Sequence, residues 1–383
     1  NMAFMLCQAD TYKRDIDNVG DPQLRLFDMK ARWETYNVAW PASCLDSLNH
    51  LQYYRSTTWQ PTTPDNAKWF SAIAYYYGRM LRDSLKVPVG LICNAVGGSP
   101  TEAWVDRNTL ETCFPAILKN WLHNDFIQDW VRGRAAKNLT NDNTHLGRHP
   151  YEPCYLYESG ILPLQKYPIK GVIWYQGESN AHNMEAHSEL FKLLVGSWRS
   201  NWTNPTMPFY FVQLPNHEKK EEAQDDSDWA AMREAQAQAL HLNHTGMVVT
   251  TDIGKGKSNT FQSTLETGLR LSQLALKQTY GKRKMPQYPV YKSYSIEGNT
   301  LRIHFENLGK GFLHPDPVRG FIIAGTDRIF YPATVTVKKK EIIVQSPDVP
   351  HPVAVRYNWA NHTDGALFGA SGLPVAPFRT DNW

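Results

Sequence analysis

The seven residues Trp174-Tyr175-Gln176-Gly177-Glu178-Ser179-Asn180 put a side-chain amide, a glycine, a carboxylate and a hydroxyl into four consecutive positions, Gln176 to Ser179. A neutral amide can donate a hydrogen bond to an oxygen that is gaining charge without adding charge or a competing base. The apolar run Gly171-Val172-Ile173 precedes this stretch and a helical pattern follows it, so it reads as the exit loop of a buried parallel strand. Open α/β sheets bind ligands outside the carboxyl ends of such strands. A polar turn after a core strand is the alternative reading of the same residues. A second loop has related features: Val87-Pro88-Val89-Gly90-Leu91-Ile92-Cys93 runs into Asn94-Ala95-Val96-Gly97-Gly98-Ser99-Pro100-Thr101-Glu102-Ala103-Trp104. Paired glycines let backbone approach a ligand closely or adopt positive φ, although ordinary turns use them too.

The elements that must position these loops follow from periodicity. Phe70, Ile73, Tyr77, Met80 and Leu81 recur at helical spacing before the strand at 87–93, and Leu190, Leu193, Leu194 and Trp198 do so after Asn180. Phe209 to Leu214 and Met247 to Thr251 read as strands, with helix formers at 229–241 between them and Leu265, Leu269, Ser272, Leu274 and Leu276 in a further helix. Helix and strand thus alternate over four strands, which predicts an α/β fold, a parallel sheet with helices on both faces. Residues 1–66 give little periodicity and read as loop-rich, and the polar residues Asn138 to Asn143 read as part of a cleft rim. After Gly281 to Pro286 the composition shifts: Leu301 to Phe305 alternates strictly, and Thr334 to Val337 with Ile342 to Val344 reads as a hairpin. The expected division is an α/β domain over 1–284 and a small β-rich C-terminal region over 285–383.

Composition narrows the function classes. The chain has 383 residues, a net charge of +3 and 42% hydrophobic residues. Its charges are dispersed, which argues against nucleic acid as a partner, and no apolar run of spanning length argues for a membrane partner. Thirteen Trp and nineteen Tyr could serve sugar-binding faces or simply fill cores. Cys7, Cys44, Cys93, Cys113 and Cys154 show no metal-ligand spacing, their odd number cannot all pair within one chain, and they do not fix the compartment. Glycosylation sequons begin at Asn138, Asn201, Asn243 and Asn361, and Asn1-Met2-Ala3-Phe4 carries no signal-peptide pattern. The charged segment 218–228 reads as a solvated loop.

Taken together, these stretches resemble the sialate O-acetylesterases, a branch of the SGNH hydrolases. The similarity is carried by Gly97 to Trp104, Lys170 to Asn180, Pro208 to Asn216, Trp229 to Gln236, Ala354 to Tyr357 and Leu373 to Arg379. The resemblance implies a flavodoxin-like (SGNH hydrolase) core and a serine–histidine site that removes acetyl groups from sialic acid hydroxyls, with no metal or organic cofactor. It implies an oxyanion hole at Gly97, Gly98 and Gln176, with Asn1, Glu178, Ser179, Asn180, Asn216 and Arg233 supporting the cleft. It also implies export to a periplasmic or extracellular location.

The chain departs from this pattern twice. The family's nucleophile lies in a Gly-Gln-Ser-Asn-Met stretch, and Asn1-Met2 matches its last two residues. The serine and the central strand it ends are therefore expected ahead of Asn1. Where relatives read Asp-Ile-His-Pro, this chain reads Ser258-Asn259-Thr260-Phe261, so Thr260 takes the place of the base. A threonine hydroxyl cannot serve as a general base near neutral pH. Among the other histidines, His314 has Asp316 two places on, and His217 follows the strand ending in Leu214; His145, His149, His182 and His187 lie on polar stretches and need no function. Three functions remain: an O-acetylesterase for sialic acid, a catalytically silent glycan-binding relative, and an esterase for acetylated xylan or another plant glycan. The two esterases take an acetylated carbohydrate as partner, and the silent relative takes an acetylated or other glycan.

Overall fold

The computed structural model describes residues 1–144, 147–217, 228–253 and 263–383. Two compact units divide the chain. The first gathers Asn1–Val212, Ala235–Val248 and the described part of 261–279; the second gathers Tyr280–Trp383 with the described parts of 213–234 and 249–260.

In the first unit, strand β1 (Asp21–Met29) pairs antiparallel with β2 (Gln60–Thr62). It pairs parallel with β3 (Val89–Asn94) in the register Leu24↔Val89 to Met29↔Asn94. Strands β4 (Val172–Trp174), β5 (Phe209–Val212) and β6 (Thr245–Val248) form a second, wholly parallel sheet. The expected parallel strands are thus present, but they fall into two three-stranded sheets in the orders β2-β1-β3 and β4-β5-β6. Among the described residues, β3 and β4 each have a partner on one side only. Strand β1 lies in the region read from sequence as loop. Asp21, Arg25 and Asp28 interrupt its apolar pattern, and only Leu24 and Leu26 are buried.

Helix α1 (Ala72–Leu85) begins where the Ser71 side chain accepts the Ala74 N–H, and it ends at Lys86 in the left-handed conformation. Helix α2 (Met184–Asn201) is capped by Asn183 and buries Leu190, Phe191, Leu194, Val195 and Trp198. Helices α3 (Asp228–Ala237) and α4 (Thr264–Gln278) complete the set used below. Gly268 of α4 lies so close to α1 that a Cβ there would stand 2.8 Å from the Ile73 carbonyl oxygen and from Tyr76 Cβ. Glycine permits that helix crossing. One core joins Leu6, Leu24, Leu26, Phe70, Tyr75 and Leu91, with Ile173 packed at its margin.

The second unit is β-rich. Strands Thr334–Val337, Glu341–Gln345, Thr300–Glu306 and Val290–Glu297 form one antiparallel sheet, and the expected hairpin pairs Val335 with Val344. A second sheet contains Phe330–Pro332, Phe321–Ala324, Ala354–Tyr357 and Phe378–Arg379. The alternation along Thr300–Glu306 directs Leu301, Ile303 and Phe305 into a core with Ile323, Ile342, Val344, Val355 and Tyr357.

No helix among the described residues is long and apolar enough to cross a membrane.

Candidate functional site

The loops that leave β3 and β4 are joined by hydrogen bonds. Ser179 Oγ donates to the Gly98 carbonyl at 2.9 Å. Gln176 Nε2 donates to the Ser99 carbonyl at 3.2 Å and to Asn180 Oδ1 at 2.8 Å. Thr101 returns the contact, its N–H donating to Asn180 Oδ1 at 3.0 Å and its hydroxyl to Gln176 Oε1 at 2.8 Å. The Gln176 carbonyl accepts from Gln236 Nε2 at 3.0 Å. Both hydrogens of the Gln176 amide nitrogen therefore have acceptors within the protein. The orientation is fixed, because a flipped amide would set Oε1 against two oxygen acceptors.

The glycine pair is held from the other side. The Gly97 carbonyl accepts from Tyr151 Oη at 2.7 Å and from Thr35 Oγ1 at 3.2 Å. Gly98 has φ +74°, and a Cβ there would lie 2.5 Å from the Tyr151 hydroxyl and 3.0 Å from the Trp130 ring. Glycine is required on both counts. Among the described residues, neither the Gly97 nor the Gly98 N–H has an acceptor. Gly97 is exposed, and Gly98 is half-buried. Two backbone donors at the end of a strand thus remain available to a ligand oxygen.

Around this frame, Asn1 Nδ2 donates to Glu178 Oε1 at 2.8 Å. Asn180 Nδ2 donates to Glu102 Oε2 at 2.9 Å. Glu102 is completely buried, and desolvation pushes its carboxyl up to about 7 against the stabilising hydrogen bond from Asn180. Thr101, Glu102 and Gln236 were not among the expected site residues. The signal was present in the stretches Gly97 to Trp104 and Trp229 to Gln236, where polar side chains stand between residues that pack as core.

Asn1, Gly97, Gly98, Gln176, Glu178, Ser179 and Asn180 all lie in the first unit, and Asn216 and Arg233 lie in the second. There, Asn216 Nδ2 donates to the Thr251 and Thr363 carbonyls at 3.0 and 2.8 Å, while its Oδ1 accepts from the Thr363 hydroxyl at 2.9 Å. Arg233, fully buried, donates to the carbonyls of Leu214, Pro215, Ala360 and Asn361. These two residues bind segment 360–363 to segment 214–216.

Thr260 and His145 lie outside the described residues. Ser99 and Ser179 are the serines beside Gln176, and both hydroxyls donate to main-chain carbonyls; no imidazole among the described residues is within hydrogen-bond reach of either. His314 is exposed and interacts with its neighbouring Pro315 carbonyl. His217 packs edge-on against Trp229, with ring centroids 4.6 Å apart.

Two histidines expected on polar stretches are core residues instead. His149 stacks on Trp40 and Trp121, accepts the Tyr151 N–H and meets Asn138 Oδ1 at 3.1 Å. His187 stacks on Phe191. Burial lowers both to about 3, so both are neutral. Asn138, expected on a cleft rim, is likewise buried, with Nδ2 donating to the Tyr36 and Val38 carbonyls. Polarity in the sequence did not mean exposure here, because the polar atoms bond one another inside.

No group of three or more potential metal ligands occurs among the described residues.

Comparison with known proteins shows what the chain resembles. The family model for carbohydrate esterases described as sialic acid-specific acetylesterase matches residues 28–277. Sialate O-acetylesterase of Rattus norvegicus is 30% identical over 170 residues, which is 40% of this chain and 31% of that protein. The Homo sapiens sialate O-acetylesterase is 31% identical over 180 residues, 44% of this chain and 30% of that protein. The matched segments thus span about a third of these relatives' lengths. A crystal structure of a carbohydrate acetylesterase from Xanthomonas citri superposes with a TM-score of 0.81 at 32% identity, covering 100% of this chain and 79% of that one.

Proposed function

The chain belongs to the sialic acid-specific acetylesterase family of carbohydrate esterases, and from that premise we propose that it carries the oxyanion-stabilising half of a serine esterase site acting on O-acetylated sialic acid. The observation that carries this reading is the pair of N–H donors at Gly97 and Gly98, without an acceptor among the described residues and held beside the Gln176 amide by the hydrogen bonds between the β3 and β4 loops. The nucleophile would be a serine in a segment ahead of Asn1. Its oxygen attacks the acetyl carbonyl carbon, the carbonyl oxygen takes the charge, and as the bond to the sugar oxygen breaks the proton lost by the serine ends on that oxygen. Water then cleaves the acetyl-serine ester and releases acetate. Gly97, Gly98 and Gln176 would donate to the oxyanion, and Gln176 would exchange its bond to the Ser99 carbonyl for that task.

The flavodoxin-like arrangement belongs to the same proposal. One further parallel strand, entering from the segment ahead of Asn1, would join the unpaired edges of β3 and β4 into a single sheet. The division near residue 284 and a periplasmic or secreted location are proposed on the family pattern. So are the supporting roles of Asn1, Glu178, Ser179, Asn216 and Arg233.

A second reading, a glycan-binding relative without turnover, is favoured by Thr260 at the place of the family's histidine. The full polypeptide, including the segment ahead of Asn1, is assayed for acetate release from O-acetylated sialic acid, acetylated xylan and an aryl acetate. Turnover that disappears on changing the upstream serine to alanine supports the esterase. Release from xylan alone moves the substrate to plant glycans. Binding without turnover, with activity appearing in Thr260→His, establishes the silent relative.

A further inference from the structure

We propose that Glu102 is a positioning residue of this site, holding the Gln176 carboxamide in its donating orientation through Asn180. The proposal rests on the reading of Gln176 as an oxyanion donor. Glu102 lies in the short 3-10 turn Thr101–Trp104 that follows the glycine pair. Its Oε2 accepts from Asn180 Nδ2 at 2.9 Å. At the other end of the same amide, Asn180 Oδ1 accepts from the Thr101 N–H at 3.0 Å and from Gln176 Nε2 at 2.8 Å. Asn180 has different chemistry at its two ends: turned over, its NH2 group would face these donors and its oxygen would face Glu102. An acceptor at position 102 is what keeps the oxygen end toward Gln176. That end, in turn, anchors one Gln176 hydrogen, while the other rests on the Ser99 carbonyl, the bond it would exchange for the oxyanion.

The second oxygen of Glu102, Oε1, is buried and has no hydrogen-bond partner among the described residues. A carboxylate with one bare oxygen in such a place is poorly solvated, so the neutral acid is favoured. The titratable groups on the elements packed against it include Cys154, whose N–H bonds the Glu102 carbonyl, Tyr157 and Glu158 in the following segment, Glu178 in the β4 loop, and Glu185, His187, Glu189, Lys192 and Arg199 on α2, of which His187 is the buried one. Burial dominates the state of Glu102, opposed by the Asn180 hydrogen bond. When the proton leaves to solvent, a negative charge arises three hydrogen bonds from the proposed oxyanion, through Asn180 and Gln176, and opposes its formation.

The test uses the full polypeptide with Glu102→Gln and Glu102→Leu. Gln keeps an acceptor for Asn180 and cannot ionise; Leu removes the acceptor. Wild-type kcat for an aryl acetate is expected to fall as pH rises through the neutral range, and Glu102→Gln is expected to keep kcat while losing that fall. Glu102→Leu should lower kcat by about a hundredfold, with KM changed far less, as for loss of an oxyanion donor. Unchanged kcat in Glu102→Leu, or the wild-type pH profile surviving in Glu102→Gln, overturns the proposal. A readout independent of turnover separates this from failure of the esterase reading. The side-chain amide NMR signals of Asn180 and Gln176 should shift with pH in the wild type and stay still in Glu102→Gln. If the wild type has no turnover, or Gln176→Ala keeps full kcat, the oxyanion reading falls; titrating amide signals would still uphold the positioning, and static ones would refute it.

Discussion

Gln176 and Asn180 are joined by a hydrogen bond, Nε2 to Oδ1 at 2.8 Å, that closes the loop leaving β4 on itself and on Thr101. The amide proposed to meet the oxyanion is thus held by a second amide rather than left to solvent. Anchored there, Gln176 has one bond to exchange, that to the Ser99 carbonyl, as charge develops on the ester oxygen. Replacing Gln176 by alanine should lower kcat about 10²- to 10³-fold in the full polypeptide. Asn180→Ala should lower it by a smaller factor, with KM little affected in either variant. Steady-state kinetics on an aryl acetate check both, and equal kcat in wild type and Gln176→Ala would remove Gln176 from the mechanism.

Gly98 should tolerate no side chain. Its positive φ costs an alanine about 1–2 kcal/mol, and the added Cβ would collide with the Tyr151 hydroxyl and the Trp130 ring. Gly98→Ala should therefore move the loop and depress acetate release more than it depresses thermal stability, whereas Gly97→Ala, whose Cβ meets nothing within 4 Å, should remain stable. Melting curves alongside the ester assay decide the matter.

Arg233 is expected to matter for folding. It is fully buried and donates to four main-chain carbonyls from two separate segments. Arg233→Lys supplies a point charge where a planar fork is needed and should destabilise by about 3–5 kcal/mol. Urea unfolding measures this, and a loss below about 1 kcal/mol, the worth of an ordinary single hydrogen bond, would contradict it.

Buried ionisable groups give stability a dependence on pH. Glu102 ionises at about 7 in the folded chain against an ordinary value of 4.5. The folded state therefore holds the extra proton between these values, and stability falls as pH rises through that window, by on the order of 3 kcal/mol at full ionisation. His149 and His187 act in the opposite sense: both are lowered to about 3, so protons bind the unfolded chain first and stability falls as pH drops below about 6.5. His187 Nδ1 has no partner among the described residues and its ring stacks on Phe191. His187→Phe should relieve part of the acid loss, and Glu102→Gln should flatten the slope above it. Denaturant midpoints across pH provide the comparison.

Much of the first unit was legible in the sequence. The helices α1, α2 and α4 and the strands β3 to β6 announce themselves through periodicity and apolar runs, and the two site loops through glycines and amides at strand ends. Strand β1 was not legible, because Arg25 and Asp28 sit in it and parallel pairing to β3 supplies the stability that its own pattern lacks. His149, His187 and Asn138 misled for a related reason: polar type predicts exposure only when no partner waits inside, and the partners of Asn138 lie about a hundred residues away. The link from Glu102 to Gln176 was hidden likewise, since it runs through Asn180, 78 residues further on.

The flanks of β3 and β4, unpaired among the described residues, bear on how this polypeptide behaves at the bench. Each is a row of main-chain donors and acceptors that another extended chain can match, and such rows drive self-association. Produced by itself, the 383-residue chain should sediment as a concentration-dependent mixture of sizes, sensitive to small amounts of urea. Co-production with a segment that supplies the proposed further strand should collapse that mixture toward one species, so that colloidal behaviour becomes a direct gauge of whether the sheet has been closed.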